Sequence, residues 1–373
     1  MVQKVIRGRD SILRVSEMME KLGMMRPLII GSAKLTGKLT SREPLGQAPV
    51  FSGYHPNPDL ADAEAAVRIY EEQGCDSLIS LGGGSAIDTA KAVKAWLCAG
   101  SPENIKKGAL EERKIPHLAI PGTAGSGAEA TANGVLYENG RKLSIGHECL
   151  LPEGVILDAA LLDSLPEYQK KSCAMDALCQ GIESYWARAA TEDSRVNAFL
   201  AILGVLDNLK AYLAGDPHAA EEMMDASYQS GKAIFLTRTT AAHAMSYQIT
   251  KLVGPSHGHA CMLTLPVLWD RMCAQEEMKP LMAELAGRMR LGSPLMGSRL
   301  LRGMLIDLGM EAPSFPGEET LKRLVDSVDP ERLGNHPMDL SRADIESVYR
   351  QAFRPILDPE RQACVDIWRY YGT

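Results

Sequence analysis

Three of the chain's eight histidines, His243, His257 and His259, fall within 17 residues. Upstream, Asp176, Gln180 and Glu183 are spaced by four and then three positions, which on a helix brings all three to one face. Among these residues a carboxylate, an amide oxygen and two imidazoles would make a set of donor types that hold Fe2+ or Zn2+. A single histidine would read as a hydrogen-bonded core or surface residue. Four donors gathered in two short stretches read as a metal centre.

A second pattern concerns phosphate. Leu81-Gly82-Gly83-Gly84-Ser85-Ala86-Ile87-Asp88-Thr89-Ala90-Lys91 follows an apolar strand and opens a helix. Successive glycines let a backbone approach a pyrophosphate without a Cβ clash, and the helix start adds free N–H groups and a positive dipole end. The pattern is neither Gly-x-Gly-x-x-Gly nor the loop ending in Gly-Lys-Ser/Thr. A second loop, Pro121-Gly-Thr-Ala-Gly-Ser-Gly-Ala-Glu-Ala-Thr131, leaves the next strand with small residues and hydroxyls, which suits the ligand crevice of an open α/β sheet. The two loops read as the walls of a dinucleotide site. A carboxylate ending the first strand would pair with a ribose 2′-OH and repel a 2′-phosphate. This chain has Gly31-Ser32-Ala33-Lys34 there, which leaves both NAD and NADP open and tilts the expectation toward NADPH.

These residues need elements to position them. Helix from about Asp10 to Leu22, strand Pro27–Ser32, an extended piece near Val50, helix from Asn57-Pro58-Asp59 to Gly74, strand Asp76–Leu81, helix through Leu97, strand His117–Ile120 and strand Val155–Asp158 alternate. Asn139-Gly140 between apolar runs predicts a β-hairpin. Alternating strands and helices mean an α/β domain with a mainly parallel sheet. After Leu162 the texture turns helical, with segments at 168–190, 193–214, 217–235, 260–290, 296–309 and 340–353. The expected division is an NAD(P)-binding α/β domain over 1–162 and an all-helical metal- and substrate-binding domain over 163–373, with the active site in the cleft between them.

Bulk properties narrow the classes. A length of 373 residues exceeds one ordinary core. A net charge of -7 argues against nucleic acid, which wants a basic face. The longest apolar runs are strand-sized, short of a membrane span, and the N-terminus lacks a signal-peptide pattern. The eight cysteines form no Cys-x-x-Cys pair and read as reduced, buried thiols of a cytoplasmic protein. Cys179 stands out because it lies inside the metal motif.

From about Pro27 to Pro266, with a weaker match at Asn335-His-Pro337, the chain resembles the iron-containing (group III) alcohol dehydrogenase family, related to dehydroquinate synthase and glycerol dehydrogenase. Gly82-Gly-Gly-Ser-x-x-Asp-x-x-Lys91 matches the family's cofactor loop, and Thr123-Ala-Gly-Ser-Gly-x-Glu-x-Thr131 resembles its second. The family's ligands are an Asp, a His four residues later, and two His separated by fourteen; Asp176, Gln180, His243 and His257 occupy those positions. Gln180 is thus a departure and a weaker donor. Tyr247 stands where the family often has a further His, and His259 is a substitute for it.

The resemblance implies a dehydroquinate synthase-like fold with NAD(P)(H) on Gly83, Gly84 and Ser85. It adds cofactor contacts at Asp88, Thr123, Ser126, Thr131 and Lys142, with Ser32 at the first strand's end. It implies a metal that polarises an aldehyde oxygen, a catalytic set of Asp176, His243, His257, His259 and Tyr247 with a proton from His259 or Tyr247, and a homodimer. The variants Met175–Trp186, Thr239–Tyr247 and His257-Gly-His-Ala260 resemble the branch of phosphonoacetaldehyde and sulfoacetaldehyde reductases. Arg238, Lys251 and His259 are candidates to pair with the anion of such a two-carbon aldehyde. The alternatives are a general short-chain alcohol dehydrogenase, a dehydroquinate-synthase-like lyase, disfavoured for want of a dense Lys/Arg cluster, and a non-catalytic nucleotide-binding protein.

Overall fold

The computed structural model describes residues 2–371 apart from 42, 57, 112, 139, 140 and 329, and for 141, 142 and 331 the backbone alone. The chain forms two compact units, Met1–Leu165 with Ala214–Gly231, and Pro166–Leu213 with Lys232–Thr373.

In the first unit, strands β1 (Lys4–Arg7), β2 (Pro27–Gly31), β3 (Val50–Phe51), β4 (Ser77–Gly82), β5 (His117–Pro121) and β8 (Gly154–Leu157) form one sheet. Its order is β1-β8-β5-β4-β2-β3, and every neighbouring pair is parallel. β6 (Asn133–Glu138) and β7 (Arg141–Gly146) make a separate antiparallel hairpin, whose expected Asn139-Gly140 tip lies outside the described residues. The central strands are continuously apolar because helices cover both faces. Leu28, Ile30 and Leu78 join the core of helices Leu60–Glu72 and Gly84–Ala99. Ile29, Ile79, Leu81, Leu118 and Ile120 join the opposite core with helix Val15–Leu22. Each fully buried side chain of this kind contributes about 1.5–3 kcal/mol.

Among the elements that escaped the sequence reading are a short helix, Pro102–Lys106, and two that border the sheet. β1, Lys4-Val-Ile-Arg7, has only two apolar residues, because an edge strand tolerates charge; it closes the sheet beside β8. Helix Ala33–Thr40 follows β2 directly.

The second unit is helical. Glu167–Trp186, Glu192–Leu213, Leu295–Asp307 and Arg342–Ala352 lie where periodicity places them. The 260–290 stretch is two helices, His257–Ala274 and Lys279–Arg288, parted by a 3-10 turn. Ala241–Val253, Glu318–Asp326, Pro330–Leu333 and Glu360–Arg369 are additional. Helix Glu192–Leu213 is long and apolar enough, by length and composition, to cross a membrane. One face of it is buried, through Ala198, Ala201, Ile202, Val205 and Leu209, and packs along Glu167–Trp186, while Val196 and Leu200 on the other are exposed.

Segment 214–231, read from sequence as part of the helical half, clusters with the sheet unit. Arg7 pairs with Asp225 at 2.8 Å, Tyr228 donates to Gln3 at 2.9 Å, and a Cβ on Gly231 would meet the Gly127 carbonyl at 2.2 Å.

Candidate metal centre and nucleotide cradle

Helix Glu167–Trp186 presents Asp176, Gln180 and Glu183 from its buried side. Gly258 lets helix His257–Ala274 come against it: a Cβ there would sit 2.0 Å from the Ser172 carbonyl oxygen and 2.7 Å from Asp176 Cβ. That contact brings His257 beside Asp176.

His243 is placed by Glu183. The carboxylate of Glu183 is fully buried, and its Oε1 accepts from Thr240 N at 3.1 Å, Ala242 N at 2.8 Å and Thr240 Oγ1 at 2.7 Å. It therefore caps the positive end of helix Ala241–Val253. Its Oε2 also forms a short hydrogen bond with His243 Nδ1, so the imidazole turns Nε2 toward Asp176. A carboxylate behind a ligating histidine fixes both tautomer and ring orientation. Ser246 Oγ plays a similar part 3.3 Å from His257 Nδ1.

Asp176, His243, His257 and Cys261 each bring one donor atom to a cluster in which all lie within 4.8 Å of one another. Asp176 Oδ1 is 3.2 Å from His243 Nε2 and 3.8 Å from His257 Nε2, which is 3.9 Å from Cys261 Sγ. A tetrahedral ion with bonds of about 2.0–2.3 Å sets its ligands roughly 3.3–3.8 Å apart. The donor types and their spacing fit a divalent cation. Burial alone would push Asp176 up, but the imidazoles of His257 and His243 and a hydrogen bond from Gln180 hold it below the usual carboxylate range. Gln180 is itself buried.

Cys261 is the residue that sequence reasoning missed. Burial pushes its thiol up, yet His243 and His257 outweigh that and bring it down to about 7. Cys179, singled out from the motif, is buried and pushed well above the usual thiol range. The available signal was the four-residue step from His257 to Cys261, which shares a helix face. Glu183 was placed on the right face without a role.

Other predicted residues divide. The Tyr247 ring stacks on His257 with centroids 5.6 Å apart, and burial pushes its phenol up to about 12. His259 stands apart from the cluster: Nε2 bonds the Met310 carbonyl at 2.7 Å and Nδ1 lies 3.1 Å from the Tyr168 hydroxyl. Arg238 and Lys251 are exposed. Arg332, which the sequence did not single out, lies 5.3 Å over the Tyr247 ring and donates to Thr239 Oγ1 at 2.8 Å.

Three of the predicted nucleotide residues follow the sheet's carboxyl edge. Gly31 registers with Leu81, and Gly82 with Pro121, so Ser32, Gly83 and Thr123 all follow the ends of adjacent parallel strands. β2 leads outward to β3 and β4 leads the other way to β5, which makes their junction a switch point. Gly83 caps helix Gly84–Ala99 with no side-chain hydrogen bond; Ala86 N bonds back to the Gly83 carbonyl at 3.0 Å, so the N–H groups ahead of it in the first turn are the ones suited to an anion. A Cβ on Gly83 would meet Thr123 at 3.4 Å, and one on Gly84 would meet Ser126 Oγ at 3.1 Å; the two loops thus form one cradle. Ser85 donates a short hydrogen bond to the Pro56 carbonyl. Asp88 accepts from Val135 N at 3.2 Å. Thr131 is buried, with Lys91 donating to it at 2.9 Å. The buried Lys91 ammonium also donates to the Ala128 and Asn133 carbonyls, both at 2.7 Å, and so ties the loops together. Ser32 and Lys34 are exposed; the Lys142 side chain lies outside the described residues.

A family model for iron-containing alcohol dehydrogenases matches residues 2–159, and one for the C-terminal part of that family matches 171–353. Over 229 residues the chain is 34% identical to a probable alcohol dehydrogenase, EutG, of Escherichia coli K12, covering 59% of this chain and 58% of that protein. Over 225 residues it is 32% identical to phosphonoacetaldehyde reductase of Streptomyces viridochromogenes, covering 57% of each. The aligned stretches thus span less than two thirds of these two relatives. The crystal structure of sulfoacetaldehyde reductase from Bifidobacterium kashiwanohense in complex with NAD+ has the same fold, with a TM-score of 0.86 at 24% identity over 94% of this chain and 97% of that one.

Proposed function

The chain belongs to the iron-containing alcohol dehydrogenase family, and from that premise we propose that it reduces a small aldehyde carrying an anionic group to its primary alcohol. The observation that carries the oxidoreductase reading is the cluster of Asp176, His243, His257 and Cys261, buried except for a half-exposed His257, held in a chain that also has a candidate phosphate cradle at Gly83 and Gly84.

A divalent ion at the cluster supplies Lewis acidity toward a carbonyl oxygen, and a nicotinamide supplies the hydride. The chain's own residues do the rest. Asp176, His243 and His257 hold the ion, while Glu183 and Ser246 set the two rings. Backbone N–H groups after Gly83, with the Thr123 and Ser126 hydroxyls, hold the pyrophosphate. Tyr247, protonated at neutral pH and stacked on the His257 ring, is the proton donor. Both nitrogens of His259 are engaged, so it serves the packing of its helix rather than proton transfer. Thr131 and Asp88 brace the cradle. The bare Gly31-Ser32 strand end accommodates NADH and NADPH alike, and thiols held outside any disulfide suit the reducing cytoplasm.

The anionic group is assigned to Arg332, whose guanidinium lies against Tyr247 and hence near the cluster. Two-carbon aldehydes bearing phosphonate or sulfonate suit this arrangement, and the phosphonoacetaldehyde reductase relative supports them. The test is kcat/KM for phosphonoacetaldehyde, sulfoacetaldehyde and propanal, each with NADH and NADPH, on metal-reconstituted enzyme. A preference for propanal overturns the anionic assignment; absence of turnover with every aldehyde overturns the oxidoreductase.

A further inference from the structure

The metal centre has four side chains at bonding separations, and the fourth is a thiol. We propose that Cys261 is a direct ligand of the metal, completing a set of Asp176, His243, His257 and Cys261, and that Gln180 acts through Asp176 instead of binding the ion. This rests on reading the cluster as a metal centre.

Geometry comes first. Cys261 lies one helical turn beyond His257 on helix His257–Ala274, so both side chains leave the same face. Its Sγ is 3.9 Å from His257 Nε2, close to the edge of a tetrahedron whose metal–sulfur bond is about 2.3 Å. All four donor atoms fall within 4.8 Å of one another. The thiol is fully buried, on the same side as Asp176 and His243, and helix packing through Gly258 fixes it there. Gln180 acts at one remove. Its amide donates to Asp176, holding the carboxylate from behind as Glu183 holds His243.

The chemistry then changes in kind. On binding M2+ the Cys261 S–H bond breaks, its proton leaves to solvent, and the thiolate electron pair forms the metal–sulfur bond; no redox step is involved. With Asp176 and Cys261 both anionic, the site cancels the ion's charge, whereas Asp176 with Gln180 would leave one positive charge. A thiolate is a soft donor and shifts preference toward Zn2+ over Fe2+.

Replacing the metal with Co2+ in the full-length protein reads the ligand directly by absorption spectroscopy. The expected result is a near-ultraviolet thiolate-to-cobalt charge-transfer band beside the visible ligand-field bands. In Cys261→Ser the charge-transfer band vanishes while ligand-field bands persist, which reports a folded, loaded site. Cys179→Ser and Gln180→Ala retain the band. By chelator competition, Cys261→Ser loses more Zn2+ affinity than the roughly 10–100-fold expected for losing a partner behind a ligand, and Gln180→Ala falls within that range. Stoichiometric Co2+ with ligand-field bands but no charge-transfer band, or a band surviving in Cys261→Ser, overturns the assignment and leaves the metal centre standing. Failure of the wild-type protein to bind Co2+ or Zn2+ overturns both.

Discussion

The proposed nucleotide cradle and the proposed metal cluster would each hold a charged ligand, but with opposite parts of the chain. Gly84 works by what it lacks: a Cβ there would crowd Ser126 Oγ at 3.1 Å, while the Gly83 backbone lies at ordinary contact distance from Thr123. The cluster works through side chains, each secured by another: Glu183 behind His243, Ser246 behind His257, Gln180 behind Asp176. A backbone site is encoded in short local stretches, here two strand-end loops, and fails when atoms are added. A side-chain site is spread over three helices and fails when atoms are removed. The two should therefore break in different ways.

The largest effect falls on the cluster. His243→Ala or Asp176→Ala should abolish stoichiometric metal and cut turnover by on the order of 10³-fold, the scale of losing a preorganised electrostatic group; metal analysis and circular dichroism together separate this from unfolding. Gly258→Ala breaks the same site from its scaffold. The added methyl meets backbone oxygen at 2.0 Å, so the two helices must part. A loss of about 1–3 kcal/mol in denaturant unfolding, together with weaker metal binding, is the expected outcome. Unchanged metal affinity in this variant would mean that helix approach does not set the ligand spacing.

The same contrast governs what the sequence could tell. The cradle's glycines, its strands and the hairpin runs are local patterns, and they sit in the structure where local rules place them. That Asp176, His243 and His257 converge was legible because helical spacing and the family resemblance supplied the long-range information. Cys261 was not, since a cysteine in an apolar stretch looks like core until a second helix arrives. Glu183 carried no sign that it would cap a helix starting at residue 241. His259 looked like chemistry because histidines cluster there, yet its partners, Met310 and Tyr168, are 51 and 91 residues away. β1 hid because its partner strand lies 150 residues on, Lys4 pairing with Gly154.

Removing a partner behind the metal tests the side-chain logic at intermediate strength. Glu183→Gln keeps the size but loses the charge that faces Thr240, Ala242 and His243. Metal affinity should drop roughly 10–100-fold, measured by chelator competition, with turnover restored by excess metal. Arg332→Ala should be smaller and selective. Losing a charged hydrogen bond of about 1.5–3 kcal/mol raises KM for phosphonoacetaldehyde by an order of magnitude or more and leaves propanal kinetics unchanged. An equal effect on both aldehydes would make Arg332 a support for Tyr247 alone.

The smallest change is expected in the cradle, and there the two glycines should differ. At Gly83 an added Cβ meets the Thr123 side chain at 3.4 Å, ordinary contact, and φ is -74°. Gly83→Ala should therefore fold with stability near wild type. At Gly84 the Cβ meets Ser126 Oγ at 3.1 Å, so that hydroxyl must move, and Ser126 is one of the residues assigned to the pyrophosphate. Gly84→Ala should raise KM for the nucleotide more than Gly83→Ala, while metal content stays at wild-type level in both. Restoring room with Gly84→Ala/Ser126→Ala should recover the fit but not the lost hydroxyl, leaving nucleotide KM between the single variant and wild type. If Gly84→Ala instead binds nucleotide as well as wild type, the cradle does not depend on backbone approach, and the contrast with the metal cluster fails on its weaker side.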